Sequence, residues 1–208
     1  MADSTATHRV TKGERTRQRL LSIAIKEFGA RGYKDTSVST LSRAADLTPA
    51  AAYAYFDDKQ AFWEAAVAAD LDAMRVEVGE RVVTSNRPII DTVFGTLDGL
   101  DAHPLVHRLL LEGSPADLQL FVQHDMFVRL KELLVLGLRH RHEAGLLPTG
   151  ADPELLAHGV ETVLVSFLLA MVRAGLEHDA ARIDAMVAVL QAACGGPPLP
   201  SERFDQRL

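Results

Sequence analysis

The segment Asp46-Leu47-Thr48-Pro49-Ala50-Ala51-Ala52-Tyr53-Ala54-Tyr55-Phe56-Asp57-Asp58-Lys59 decides how the chain folds. Thr48 offers a hydroxyl to cap a helix, and Pro49 fits the first turn, where its missing amide hydrogen leaves no bond unmade. A third helix is therefore predicted to start at Pro49. Just upstream, Thr36 or Ser37 supplies another capping hydroxyl, and Val38, Leu41 and Ala45 share one face, so a second, short helix is predicted over Val38 to Ala45. The order is helix, tight turn, helix. Further back, Leu20, Leu21, Ala24, Ile25 and Phe28 recur at helical steps and predict a first helix from about Lys12 to Arg31, which Gly32 can end in a left-handed cap. Downstream, Trp63, Val67, Leu71, Met74, Val78 and Val82 form one stripe, so a long fourth helix runs unbroken from about Lys59 to Val82.

The remainder is helical too. Pro88, Pro104, Pro115 and Pro153 open a fifth, sixth, seventh and eighth helix, and Asp179 caps a ninth that Gly195-Gly196-Pro197-Pro198 ends. The seventh reads as one long helix reaching about Ala144. No strand-like alternation persists and no internal repeat is found. The expected fold is all-α with about nine helices. Residues 1–58 form a helix-turn-helix domain with a flexible N-terminal arm, 59–195 a helical body, and 196–208 a mobile tail.

Composition sets the outer bounds. The chain has 208 residues, 48% hydrophobic and 24% charged, which is the profile of a soluble globular protein with a sizeable core. Its one cysteine, Cys194, rules out an internal disulfide, a CxxC pair or a cysteine zinc site, and points to a reducing cytoplasm. Leu155 to Val172 is the most apolar stretch, but His158 and Glu161 interrupt it, leaving less than the ~20 apolar residues that a membrane span needs. Met1 to Thr11 is polar, so no secretory signal is expected. The net charge of -6 is uneven: residues 1–60 hold 10 Lys and Arg against 7 Asp and Glu, and residues 61–208 hold 12 against 21. A basic head on an acidic body suggests that the head meets a polyanion.

The decisive segment carries the chemistry for that. A helix entering the major groove must keep its leading face small or polar, and the methyls of Ala50 and Ala51 can approach thymine methyls. The hydroxyls of Thr48, Tyr53 and Tyr55, the Lys59 ammonium, and the amides opening the second and third helices suit phosphates. Between Pro49 and Phe56 there is no Arg, Asn, Gln or Lys, so backbone clamping outweighs direct base reading. Specificity falls to shape, methyl contacts and second-helix residues such as Ser37 or Arg43. The same alanines and tyrosines would also serve as plain helix filler and packing.

Thr16 to Trp63 resembles the N-terminal domain of the tetracycline-repressor (TetR-type) family of bacterial transcriptional regulators. The resemblance rests on Arg17, Leu20-Leu21, Ala24, Phe28, Gly32-Tyr33, Thr36-Ser37-Val38, Leu41, Ala44-Ala45, Leu47-Thr48, Tyr53, Tyr55-Phe56 and Lys59. It implies a homodimeric DNA-binding regulator, usually a repressor, that a small ligand held in the body releases from a palindromic double-stranded operator. It also implies phosphate or hydroxyl contacts by Thr36, Thr48, Tyr53, Tyr55 and Lys59, to which Ser37, Pro49, Ala50 and Ala51 add the rest of the expected surface. The chain departs from the family at Asp46 and Ala50, where glycine is usual, at Ala52, where a larger apolar residue is usual, and at Ser39, where a basic residue is frequent.

In the body, Phe94, Leu97, Phe121, Phe127, Leu164, Phe167 and Met171 are the expected lining of an apolar ligand pocket, with His107 and His124 as polar anchors. Each also suits an ordinary core. With no Asp, Lys or Arg among them, the expected ligand is a hydrophobic molecule. The eighth helix is apolar nearly all round, so Leu155 and Val163, with Ile183, Met186, Val187 and Leu190 of the ninth, are expected at a two-fold dimer interface. The alternative is a helical metal-dependent hydrolase using the C-terminal histidines, with His103, His107 and Glu112 as its residues. Neither a Glu-x-x-His pair, a Gly-rich phosphate loop nor a GxSxG motif is present, so no catalytic residue, metal or cofactor is expected.

Overall fold

A computed structural model of the chain describes residues 11–82, 88–176 and 178–194, in which ten α-helices and no strand are found. The whole of the expected tail, residues 1–10 of the expected arm and residues 83–87 lie outside the described residues. In order the helices are α1 (Lys12–Asp35), α2 (Val38–Ala44), α3 (Pro49–Ala52), α4 (Lys59–Val82), α5 (Pro88–Gly99), α6 (Pro104–Glu112), α7 (Pro115–Gln123), α8 (Asp125–Glu143), α9 (Pro153–Arg173) and α10 (Ala180–Ala193). The capping and proline signals explain nearly all the starts. Thr11, Ser37, Thr48, Ser114, Asp152 and Asp179 each accept a backbone N–H of the first turn, and proline opens α3, α6, α7 and α9.

Two helices differ from expectation. α1 continues to Asp35 across a break at Gly32, whose φ of 80° only glycine adopts without strain. The expected seventh helix is two, because His124 takes extended dihedrals and its Nδ1 accepts the Met126 N–H at 3.4 Å, making it the cap of α8.

The chain divides into two compact units, and the division falls inside α4, after Asp70, not at residue 58. The first unit also takes in Pro104–Val106, the first turn of α6. Its core is Leu20, Leu21, Ala24 and Phe28 of α1, Val38 and Leu41 of α2, Ala52 and Phe56, and Phe62, Trp63, Ala66 and Val67 of α4. Phe28 meets the edge of Trp63 with ring centroids 5.2 Å apart, and Phe56 stacks on Phe62 at 4.0 Å. Such pairs contribute about 0.5–1.5 kcal/mol each beyond burial. This explains where the division falls: the early α4 residues belong to the head core. Leu105 and Val106 are fully buried, the Asp70 carboxylate accepts the Val106 N–H at 3.1 Å, and Pro104 lies against Gly29 so closely that a Cβ there would sit 3.0 Å from it.

The second unit packs α8 along α9 over Leu130, Leu134, Leu138, Val160, Leu164 and Leu168, with Ile183, Val187 and Leu190 of α10 inside. Arg141 Nε donates to the Cys194 carbonyl at 2.7 Å and ties the end of α8 to the end of α10. Arg173 Nε donates to the Leu110 carbonyl at 3.0 Å. α9 is long and apolar enough to cross a membrane by length and composition, yet its Ala157, Val160, Leu164, Leu168 and Met171 are buried within this helical unit.

Candidate nucleic-acid interface

The head presents α2 and α3 joined by a tight turn. Ser37 Oγ accepts the Thr40 N–H at 3.1 Å and opens α2, and after Ala44 the chain reverses through hydrogen bonds from Asp46 N–H to the Arg43 carbonyl and from Leu47 N–H to the Ser42 carbonyl. Asp46 makes the reversal with a φ of 53°, the left-handed conformation that aspartate tolerates better than most side chains. Thr48 Oγ1 then accepts the Ala51 N–H at 3.2 Å. α3 has 4 residues, after which Tyr53, Ala54 and Tyr55 continue as turns.

Burial sorts the expected contact residues. Ser37, Thr48, Pro49, Ala50 and Tyr53 are exposed, Ala51 and Tyr55 half-buried, and Ala52 turns into the core. The exposed surface of the motif therefore joins the hydroxyls of Ser37, Thr48 and Tyr53 with the small apolar Pro49 and Ala50, and Tyr53 is 49% exposed. Thr36 is a correction. It is 1% exposed, and its hydroxyl donates to the Gly32 carbonyl at 2.9 Å and the Glu27 carbonyl at 3.3 Å, so it closes the end of α1 and cannot reach a phosphate.

Lys59 is half-buried: its Nζ sits 4.3 Å from the centre of the Tyr33 ring and donates to the Lys34 carbonyl at 3.5 Å. This cation–π contact pins the start of α4 to the end of α1 and restrains the ammonium. Two arginines of α1 also reach the motif. Arg17 lies over the Phe56 ring at 5.2 Å, and Arg19 forms an ion pair with Asp46. The sequence marks Arg17 among the residues of the family resemblance and Asp46 between the second and third helices, but not these contacts. They join residues far apart in the chain, and helical periodicity carries no signal for that.

In the body, Leu97, Phe121, Phe127, Leu164 and Met171 are buried, and Phe94, His107, His124 and Phe167 half-buried. Phe121 and Phe127 are together, with ring centroids 4.4 Å apart, and α5 meets α9. His124 caps α8 and places Nε2 3.9 Å from Asp72. A surface groove of about 630 Å³ is lined by other residues, among them Val122, Val128, Val135 and Leu136, with Lys131 and Glu161 as polar members. His103 caps nothing and pairs with Glu77 at 3.3 Å, and among the described residues no three of His, Cys, Asp and Glu gather as a metal would require. Of the expected dimer residues, Leu155 and Val163 are 71% and 41% exposed and Met186 is half-buried. Ile183, Val187 and Leu190 are instead covered by their own chain, and Val189 is an exposed large apolar residue of α10.

Residues 20–66 match the family described as bacterial regulatory proteins, tetR family. The chain is 29% identical to the uncharacterized HTH-type transcriptional regulator YdgC of Bacillus subtilis (strain 168), over 76% of this chain and 95% of that protein. Among solved structures it is similar to a tetR-family transcriptional regulator from Pectobacterium atrosepticum, with a TM-score of 0.64, 25% identity, and coverage of 88% of this chain and 94% of that one. It is also similar in fold to SmeT, the repressor of the Stenotrophomonas maltophilia multidrug efflux pump SmeDEF, with a TM-score of 0.63, 21% identity, and coverage of 88% and 97%.

Proposed function

We propose that this chain, a transcriptional regulator of the tetR family, is a cytoplasmic, non-enzymatic repressor that binds a palindromic operator as a homodimer and leaves it when a small hydrophobic molecule enters the body. The observation that carries the DNA side is the exposed surface Thr48-Pro49-Ala50-Tyr53, two hydroxyls flanking two small apolar residues and fixed by a capped α3 against a well-packed head. Ser37, Thr48, Tyr53 and Tyr55 serve as phosphate contacts and Ala50 and Ala51 as methyl contacts, while Lys59 acts within the restraint of Tyr33.

The dimer face is read from α9 and α10. Leu155, Val163 and Val189 are exposed apolar residues beside the exposed small residues Gly159, Ser166, Ala170 and Ala185, which lets helices approach closely. The effector reading rests on the aromatic and aliphatic residues around Phe121 and Phe127. A ligand releases DNA only if it binds the DNA-incompetent arrangement better, and about 1–3 kcal/mol of such coupling gives about 5 to 150-fold release.

The test is DNA binding across salt. The protein should be retained on duplex DNA with a steep salt dependence, and Lys59→Ala should weaken binding to all sequences and lower the salt slope by about one. Retention with no salt dependence, or an unchanged slope in the variant, would remove Lys59 and its surroundings from the interface. Saturating hydrophobic ligands that occupy the body yet leave operator affinity unchanged would end the switch reading and spare the DNA-binding one.

A further inference from the structure

The turn between α2 and α3 carries a carboxylate on the surface assigned to DNA, and that carboxylate is already engaged. Asp46, two residues before the Thr48 cap, holds its positive φ and extends its side chain into solvent. Its Oδ2 accepts from Nη2 of Arg19 on α1, in an ion pair whose side chains stay 82% and 55% exposed. Two exposed charges in water attract each other weakly, since solvent and salt screen most of the interaction, so the partner is exchangeable. A guanidinium binds a phosphate with the same forked geometry that it uses for a carboxylate. From Pro49 to Tyr55 the recognition segment has no cation of its own, and Lys59 is held over Tyr33. Arg19 is therefore a cation that α1 brings to the turn before α3, and Asp46 holds its guanidinium.

We propose that Asp46 is a built-in competitor for Arg19: in the free protein it occupies the guanidinium, and on DNA a phosphate must displace it. The head then binds DNA as if it carried one cation fewer than its sequence counts, and non-specific affinity is held down. This rests on the reading of the α2–α3 surface as the DNA-binding one.

The experiment titrates operator and random duplexes across salt with wild-type protein, Asp46→Asn, Arg19→Ala and the double variant. Asparagine tolerates a positive φ and removes the charge. Asp46→Asn should tighten both duplexes by the same factor, roughly two- to five-fold near 0.1 M salt, the worth of one exposed ion pair, and steepen the logarithmic salt slope by about 0.9, the value for one phosphate. Most of that gain should vanish when the same change is made in the Arg19→Ala protein. An equal gain with and without Arg19 would make Asp46 a simple repeller of phosphates and overturn the proposal, as would no gain at all. Should the asparagine variant fail to fold, Asp46→Gly, which also accepts the turn, replaces it. Wild-type protein that ignores both duplexes at every salt defeats the DNA reading and this inference together; wild type that binds while the variants match it defeats this inference alone.

Discussion

Replacing Thr36 by valine keeps the shape of a fully buried side chain and removes a hydroxyl that serves two carbonyls of α1. The variant should lose about 1–2 kcal/mol in denaturant unfolding, the cost of leaving buried acceptors without their donor, with the salt slope of DNA binding unchanged. A lower slope would return Thr36 to the interface. Cys194 gives a second test at this scale. Partial burial pushes its thiol up from the ordinary 9.0, with the neighbouring Arg141 acting weakly in the opposite sense. The thiolate is the reactive form, so alkylation at about pH 8.5 should run slower on the folded protein than on the unfolded chain. Because the folded pKa is the raised one, the unfolded chain ionises first. The stability linked to this group is intact below about pH 9 and falls as pH rises beyond it.

Among the helices, glycines that look alike in sequence occupy unlike surroundings. A Cβ at Gly29 of α1 would sit 3.0 Å from the backbone and Cβ of Pro104, whereas at Gly137 of α8 it would meet nothing within 4 Å. Gly29→Ala should therefore destabilise by about 1–3 kcal/mol through overpacking, and Gly137→Ala should stabilise by about 0.5–1 kcal/mol through helix propensity. Thermal melts of the two variants should move in opposite directions. Helix starts were legible because a capping side chain and a proline act on their own first turn: Thr48 with Pro49, and Ser114 with Pro115, stand side by side in the chain. The break at His124 was not legible, since an imidazole capping the next helix leaves the apolar spacing of α7 and α8 undisturbed. The burial of Thr36 and the pairing of Arg19 with Asp46 were hidden for a related reason. Hydroxyls and arginines suit a surface as well as a bond to a distant segment, and only the folded chain selects between them.

For the whole molecule, the exposed apolar face of α9 and α10 makes the oligomeric state the sharpest test. Val163 is 41% exposed in the single chain, so Val163→Glu should fold. In a two-fold interface it would bury a carboxylate from each subunit against its twin, at a cost of several kcal/mol. Light scattering at micromolar concentration should show a dimer for the wild type and a monomer for the variant, which should also lose operator binding. Equal masses for the two proteins would place the interface elsewhere. The head itself is not one contiguous stretch, because Pro104–Val106 supply part of its interior. Synthesis therefore cannot finish the head when residue 70 leaves the ribosome. Until residue 106 follows, at about 5–20 residues per second, the Val106 N–H that Asp70 accepts and the Pro104 that packs on Gly29 are missing. The nascent DNA-binding unit is held incomplete until part of the body exists, and a fragment cut after Asp70 would keep that gap permanently.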